Sequence, residues 1–108
     1  MPDYIYIING GLFETKVFII GSTNDLITKI SSYLPYYGNN FSCSYSESTN
    51  VNGDMVALKN ILAQKHAYKY GDIYRYPISD VKSFIKQITG NKMQKLDLTS
   101  LPNYNLLL

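Results

Sequence analysis

The residues able to do chemistry in this 108-residue chain are few and of uneven kinds. There is one histidine, His66, and one cysteine, Cys43. A thiol nucleophile needs a base beside it, and His66 is the only imidazole on offer. Cys43 therefore reads as a small, half-buried side chain in an alternating run. His66 has no cysteine or second histidine at ligand spacing, so zinc is not expected. A Ser-His-Asp arrangement has no elbow motif to sit on. Gly10-Gly11 and Gly21 are not followed by lysine in the frame of a phosphate loop. What the chain has in quantity is phenol and ammonium. There are 11 tyrosines, and Lys59, Lys65, Lys69 and Arg75, with His66, make the second half mildly basic. Such residues recognise rather than react: cations neutralise phosphate, and aromatic rings stack on bases. The plainer readings are core and strand packing for the tyrosines and solvated helix faces for the lysines. Tyr36, Tyr37, Tyr68, Tyr70, Tyr74 and Tyr76 cluster around loops and form the best candidate recognition surface.

The elements that must position these groups follow from periodicity and punctuation. Tyr4–Ile8 and Lys16–Ile20 are β-branched and aromatic runs, read as two buried strands. Asn9-Gly10-Gly11 is a turn signal, so the pair reads as an antiparallel hairpin whose loose loop holds Leu12, Phe13 and Glu14. The stretch 21–25 breaks the second strand and offers caps for a helix over 24–34, which Pro35 ends. Residues 41–46 alternate large and small side chains as a half-buried strand does, and 47–53 read as a polar loop. Asp54 then caps a helix over 54–68 that Gly71 closes. Ile73–Tyr76 is a short extended piece. Ser79 and Asp80 cap a last helix, which carries Val81, Phe84, Ile85 and Ile88 on one face and stops at Gly90. The expected class is α+β: a small, mainly antiparallel three-stranded sheet flanked by helices, occupying residues 1–90. Residues 91–108, ending in three leucines, read as a C-terminal tail that docks on this domain or on a protein partner.

Composition bounds the rest. With 45% hydrophobic and 17% charged residues the chain should fold as one modest core. A formal net charge of +2 is too small to argue for nucleic acid by itself. A lone cysteine allows no internal disulfide, which points to a reducing, intracellular compartment. No signal peptide and no membrane-spanning run is visible, so no membrane contact is expected. Ile, Lys, Asn, Tyr and Phe make up 46 of the 108 residues, a bias of A/T-rich genomes such as those of large DNA viruses and phages. An infected host cell or a virion is therefore among the expected locations.

Two short elements carry a resemblance. Tyr4-Ile5-Tyr6 resembles the G-I-Y element of GIY-YIG nucleases, and Ile19-Ile20-Gly21-Ser22-Thr23 resembles the Y-I-G-S-T element that follows it. The helix after the second element carries Lys29 and Tyr33 at the spacing of the family's arginine and its His or Tyr. Tyr70-Gly71-Asp72-Ile73-Tyr74 looks like the G-E-W/I-F segment of the viral and phage branch. The likeness covers roughly residues 3–89 and implies a GIY-YIG-like fold.

The resemblance also implies a chemistry, and the departures from it bear on that chemistry directly. In the family a Mg²⁺-type ion is held by a glutamate of the second helix and by phosphate oxygen. A tyrosine helps to activate water, and the arginine stabilises phosphoryl charge. The glutamate position falls at about Ala57 and Leu58 here, and the chain's two glutamates, Glu14 and Glu47, lie elsewhere. Without a carboxylate there a hard cation loses its protein anchor. Lysine lacks the bidentate fork of arginine, and Ile19 removes a phenol. The expectation is a degenerate site without cleavage activity and without a metal. Tyr6, Lys29 and Tyr33 are the vestigial catalytic positions. Tyr4, Lys59, Lys65, Lys69 and Arg75 are the candidate contacts to DNA or another nucleic acid. The alternatives are a structural or interaction subunit of a larger assembly, and an active Mg²⁺-dependent endonuclease that draws its carboxylate from Asp54 or Glu47.

Overall fold

The fold is that of a computed structural model, which describes residues 2–10, 16–37 and 41–104, with the side chains of residues 36 and 37 left aside. The hairpin-loop residues Leu12, Phe13 and Glu14, the rings of Tyr36 and Tyr37, and Leu106–Leu108 lie outside the described residues.

The expected α+β class holds, but the sheet is twice the size anticipated. Six antiparallel strands run in the order β4-β5-β2-β1-β3-β6. They are β1 Asp3–Gly10, β2 Val17–Thr23, β3 Phe41–Ser48, β4 Tyr68–Tyr70, β5 Ile73–Arg75 and β6 Gln94–Leu96. Of the three further strands, β5 is the short extended piece expected at Ile73–Tyr76, while β4 and β6, three residues each, are too short for a period-two pattern to register. Tyr68–Tyr70 is strand rather than the end of a helix, and Gly71, at φ 59°, opens the two-residue β4–β5 turn instead of capping that helix.

The helices also shift from their expected bounds. The first, α1, runs Leu26–Ser31, and Asp25 caps it by accepting from the Thr28 amide at 3.2 Å. A turn at 32–33 separates it from α2, Leu34–Tyr37. Pro35 thus lies in the first turn of α2 rather than after a helix, where its missing N–H would have no partner in any case. The long helix α3 is Val51–Gln64, capped by Asn50 and not by Asp54, which sits in its first turn. The expected polar loop 47–53 is therefore divided: Glu47 and Ser48 continue β3, and residues 51–53 begin α3. The last helix, α4, is Ile78–Thr89. Pro77 precedes it without a side-chain cap bond, and Gly90, at φ 77°, ends it as expected.

Alternation along the strands sends side chains to two cores. Ile5, Ile7, Phe18 and Ile20 pack under Leu58 and Leu62 of α3 and Val81 and Ile85 of α4. Tyr6, Ile8, Ile19 and Cys43 face the opposite way, under Leu26 and Ile30 of α1, Leu34 and Leu101. The sheet is thus a central layer between two helical layers. Residues 94–104, expected in the tail, pack on this second face. There β6 pairs with β3, Leu101 is 3% exposed, and Asn103 donates from Nδ2 to the Ser31 carbonyl at 3.2 Å. No helix among the described residues is long and apolar enough to cross a membrane.

Candidate nucleic-acid interface

Tyr4 and Tyr6 are two apart on β1 and so share the α1 side of the sheet. Tyr6 is 1% exposed, and its hydroxyl lies 2.8 Å from that of Tyr33, which follows α1; either can donate. The two rings meet edge-on, with centroids 6.0 Å apart. Burial first, and then the bond to Tyr33, pushes the Tyr6 phenol well above its ordinary value. Tyr6 therefore stays protonated at neutral pH and serves as a neutral hydrogen-bonding group rather than a base. Lys29, exposed in the last turn of α1, holds its ammonium 6.0 Å from the centre of the Tyr33 ring. The structure brings Tyr4, Tyr6, Lys29 and Tyr33 to one face.

That face continues onto β3. Tyr45 is opposite Tyr6 and Glu47 is opposite Tyr4 in the β1–β3 register, so both point the same way as the tyrosines. Tyr4 and Tyr45 pack edge-on at 5.8 Å, and the Tyr45 hydroxyl donates to Gln94 Oε1 at 3.1 Å. A cleft of about 410 Å³ opens beside them, lined by Tyr4, Tyr45, Glu47, Lys92 and Gln94 among others.

No family model, curated protein or solved structure matches this chain. The functional reading accordingly rests on this geometry and on the sequence elements that resemble GIY-YIG nucleases.

Of the remaining basic residues, Lys59, Lys65 and Lys69 are not part of that face. Lys59 and Lys65 are exposed positions on and just after α3, which covers the opposite side of the sheet. Lys69 turns to that opposite side too, with its ammonium 5.7 Å from the centre of the Tyr74 ring. Arg75 lies on β5, opposite Tyr68 of the edge strand, and alternation with Tyr74 turns it to the α1 side, two strands away from β1. Phosphate contacts by α3 and contacts by the tyrosine face therefore belong to two surfaces, not one.

The position at which GIY-YIG nucleases carry their metal-binding glutamate offers no ligand here. Leu58, near the expected glutamate position, is fully buried in the core, and Ala57 has no donor. Asp54 is engaged elsewhere, accepting from the buried Ser48 hydroxyl at 2.5 Å. Among the described residues no three of His, Cys, Asp and Glu come together as a metal site. Cys43 is buried between strands, and burial pushes its thiol up to about 12, which leaves it inert as a nucleophile at neutral pH.

Sequence reasoning missed Tyr45, Lys92 and Gln94. Tyr45 was within reach: in the alternating run 41–46 it shares a face with Cys43, and the β1–β3 pairing sets it beside Tyr6. Lys92 and Gln94 gave no signal, because only the return of the chain after Gly90 brings them back to β3.

Proposed function

We propose that this domain is a GIY-YIG-like module that has lost cleavage activity and binds nucleic acid through the α1 face of its sheet. The observation that carries this reading is the convergence of one cation and four phenols, Lys29 with Tyr4, Tyr6, Tyr33 and Tyr45, on a face that carries Glu47 on β3 but no carboxylate at the family's helix position. Lys29 supplies charge to a phosphate, the outward part of Tyr33 and its hydroxyl help orient it, and the rings of Tyr4 and Tyr45 offer stacking area for a base. Tyr6 acts through Tyr33, fixing the direction of its ring. Each stacked base contributes on the order of 1–3 kcal/mol, which lets a modest charge suffice.

Less supports a role as an assembly subunit reached through the C-terminal tail, because residues 94–104 pack on the domain's own sheet.

The test is a salt-graded gel shift with single-stranded and duplex DNA, run beside plasmid incubation with Mg²⁺ or Mn²⁺. The expected result is binding that weakens steeply with salt, falls in a Lys29→Ala, Tyr33→Phe variant, and is accompanied by no nicking. Absence of binding at low salt would sink the reading. Nicking by the parent that disappears in Glu47→Gln would overturn the loss of cleavage.

A further inference from the structure

We propose that the bound nucleic acid is a single strand that leaves the tyrosine cleft past Lys92 and turns around the sheet edge into a lysine-lined hollow formed by Lys82, Lys86 and Lys92. The proposal rests on the nucleic-acid reading above and extends it to a second surface.

The hollow measures about 300 Å³ and is lined by Lys82, Ser83, Lys86, Lys92 and Met93. Lys82 and Lys86 are four apart on α4, so they occupy the same exposed helix face. Lys92 is the third cation, two residues beyond Gly90. Three lysines line one concavity, and among the described residues no carboxylate does. Like charges four apart destabilise a helix slightly, so an anion between them is favourable on electrostatic grounds. Ser83 adds a hydroxyl, and Met93 an adaptable apolar wall against which a sugar can rest.

Lys92 also lines the Tyr4–Tyr45 cleft. One residue thus lines both concavities. Asn91, the residue before it, is tied to β3. The Ser46 hydroxyl donates to the Asn91 carbonyl at 3.0 Å, and Asn91 Nδ2 donates to the Glu47 carbonyl at 3.1 Å. Within the cleft Glu47 repels phosphate and the rings attract bases. Base in the cleft and phosphate at Lys92 is the arrangement that satisfies both. The next phosphates then fall to Lys86 and Lys82.

The path passes from the α1 side of the sheet to the α4 side. Duplex DNA, with a persistence length of about 150 base pairs, does not turn around the edge of one small domain, whereas a single strand does. The aromatic cleft likewise needs unpaired bases.

The test is the salt dependence of affinity for a fluorescent oligothymidylate and for a duplex. The parent is compared with a Lys82→Gln, Lys86→Gln, Lys92→Gln triple variant and with Tyr45→Ala. At about 0.7 counterions per phosphate contact for single strands, the triple variant should lower the slope of log affinity against log salt by about 2. Tyr45→Ala should weaken binding about tenfold and leave that slope unchanged. The parent should prefer the single strand. A triple variant with the parent's slope overturns the path while leaving binding at the tyrosine face intact, and so does equal affinity for duplex. A parent that binds neither DNA overturns the proposed function and the path together.

Discussion

Gly21 lies directly beneath the ring of Tyr6. The two residues are partners in the β1–β2 register, and a Cβ placed on Gly21 would come 2.2 Å from the Tyr6 hydroxyl oxygen and 2.3 Å from the ring carbon that bears it. No conformational demand explains this glycine, which is in a strand; close approach does. Gly21→Ala must therefore displace the Tyr6 ring and its bond to Tyr33. The expected cost is about 1–3 kcal/mol of stability, as for an overpacked core. Chemical denaturation measures it, and in a Tyr6→Leu background the same substitution should cost clearly less.

Tyr6→Phe keeps the ring and removes one partner of the Tyr6–Tyr33 hydroxyl bond. The expected loss is about 1 kcal/mol. A larger effect on nucleic-acid affinity than on stability would mark the orientation of Tyr33 as the point of this bond; equal effects would leave it a packing feature.

Ser48 is 3% exposed and donates to the Asp54 carboxylate in the first turn of α3. Asp54→Ala leaves that hydroxyl buried without its partner and removes a negative charge from a helix N-terminus. A loss of about 1.5–3 kcal/mol is expected in thermal or denaturant unfolding. Nicking by the parent that Asp54→Ala abolished at full stability would show that Asp54 is more than structural.

Alkaline pH should unfold this protein early. Burial raises the Cys43 thiol from 9.0 to about 12, and raises the Tyr6 phenol above its ordinary 10.0. Both groups are held neutral in the fold, so the unfolded chain loses these protons first. Their contribution is fully present below about pH 9 and declines as pH rises toward 12. Unfolding midpoints measured from pH 8 upward should fall, and Cys43→Ala should flatten the first part of that fall. An unchanged profile in Cys43→Ala would assign the whole effect to the tyrosine.

Leu101 is 3% exposed beside Leu34 and Ile30. Leu101→Ala should cost about 2–5 kcal/mol, the range for a large-to-small change in a packed core. A cost near zero would mean that the segment after β6 does not hold to the domain in solution.

The main elements were legible in the sequence because their signals are local. Val81, Phe84, Ile85 and Ile88 announce α4, and Gly90 announces its end. Tyr4–Ile8 and residues 41–46 announce two central strands. What was not legible depends on distant partners. Asp54 and Asn50 are both plausible caps, and only the continuation of β3 to Ser48 leaves Asn50 in the capping position. Tyr68–Tyr70 looks like the end of a helix until β5 supplies a neighbour. The candidate site divides in the same way. Spacing related Lys29 to Tyr33, but Lys59 and Lys65 could be assigned to the opposite side only once the sheet was seen to separate α1 from α3.

The strand order has a kinetic consequence. The central strand β1 comes from the first ten residues, yet only its hairpin with β2 is local; Asp3 must wait for Ser48, and Cys43 for Leu96. Such long loops must close before the sheet returns any energy, which slows the search for the native pairing. An apolar β1–β2 hairpin will then form within microseconds and sit with its β2 flank open until β5 arrives and its β1 flank open until β3 does. During synthesis those flanks are the part of the chain most in need of protection from pairing with a neighbour's strand.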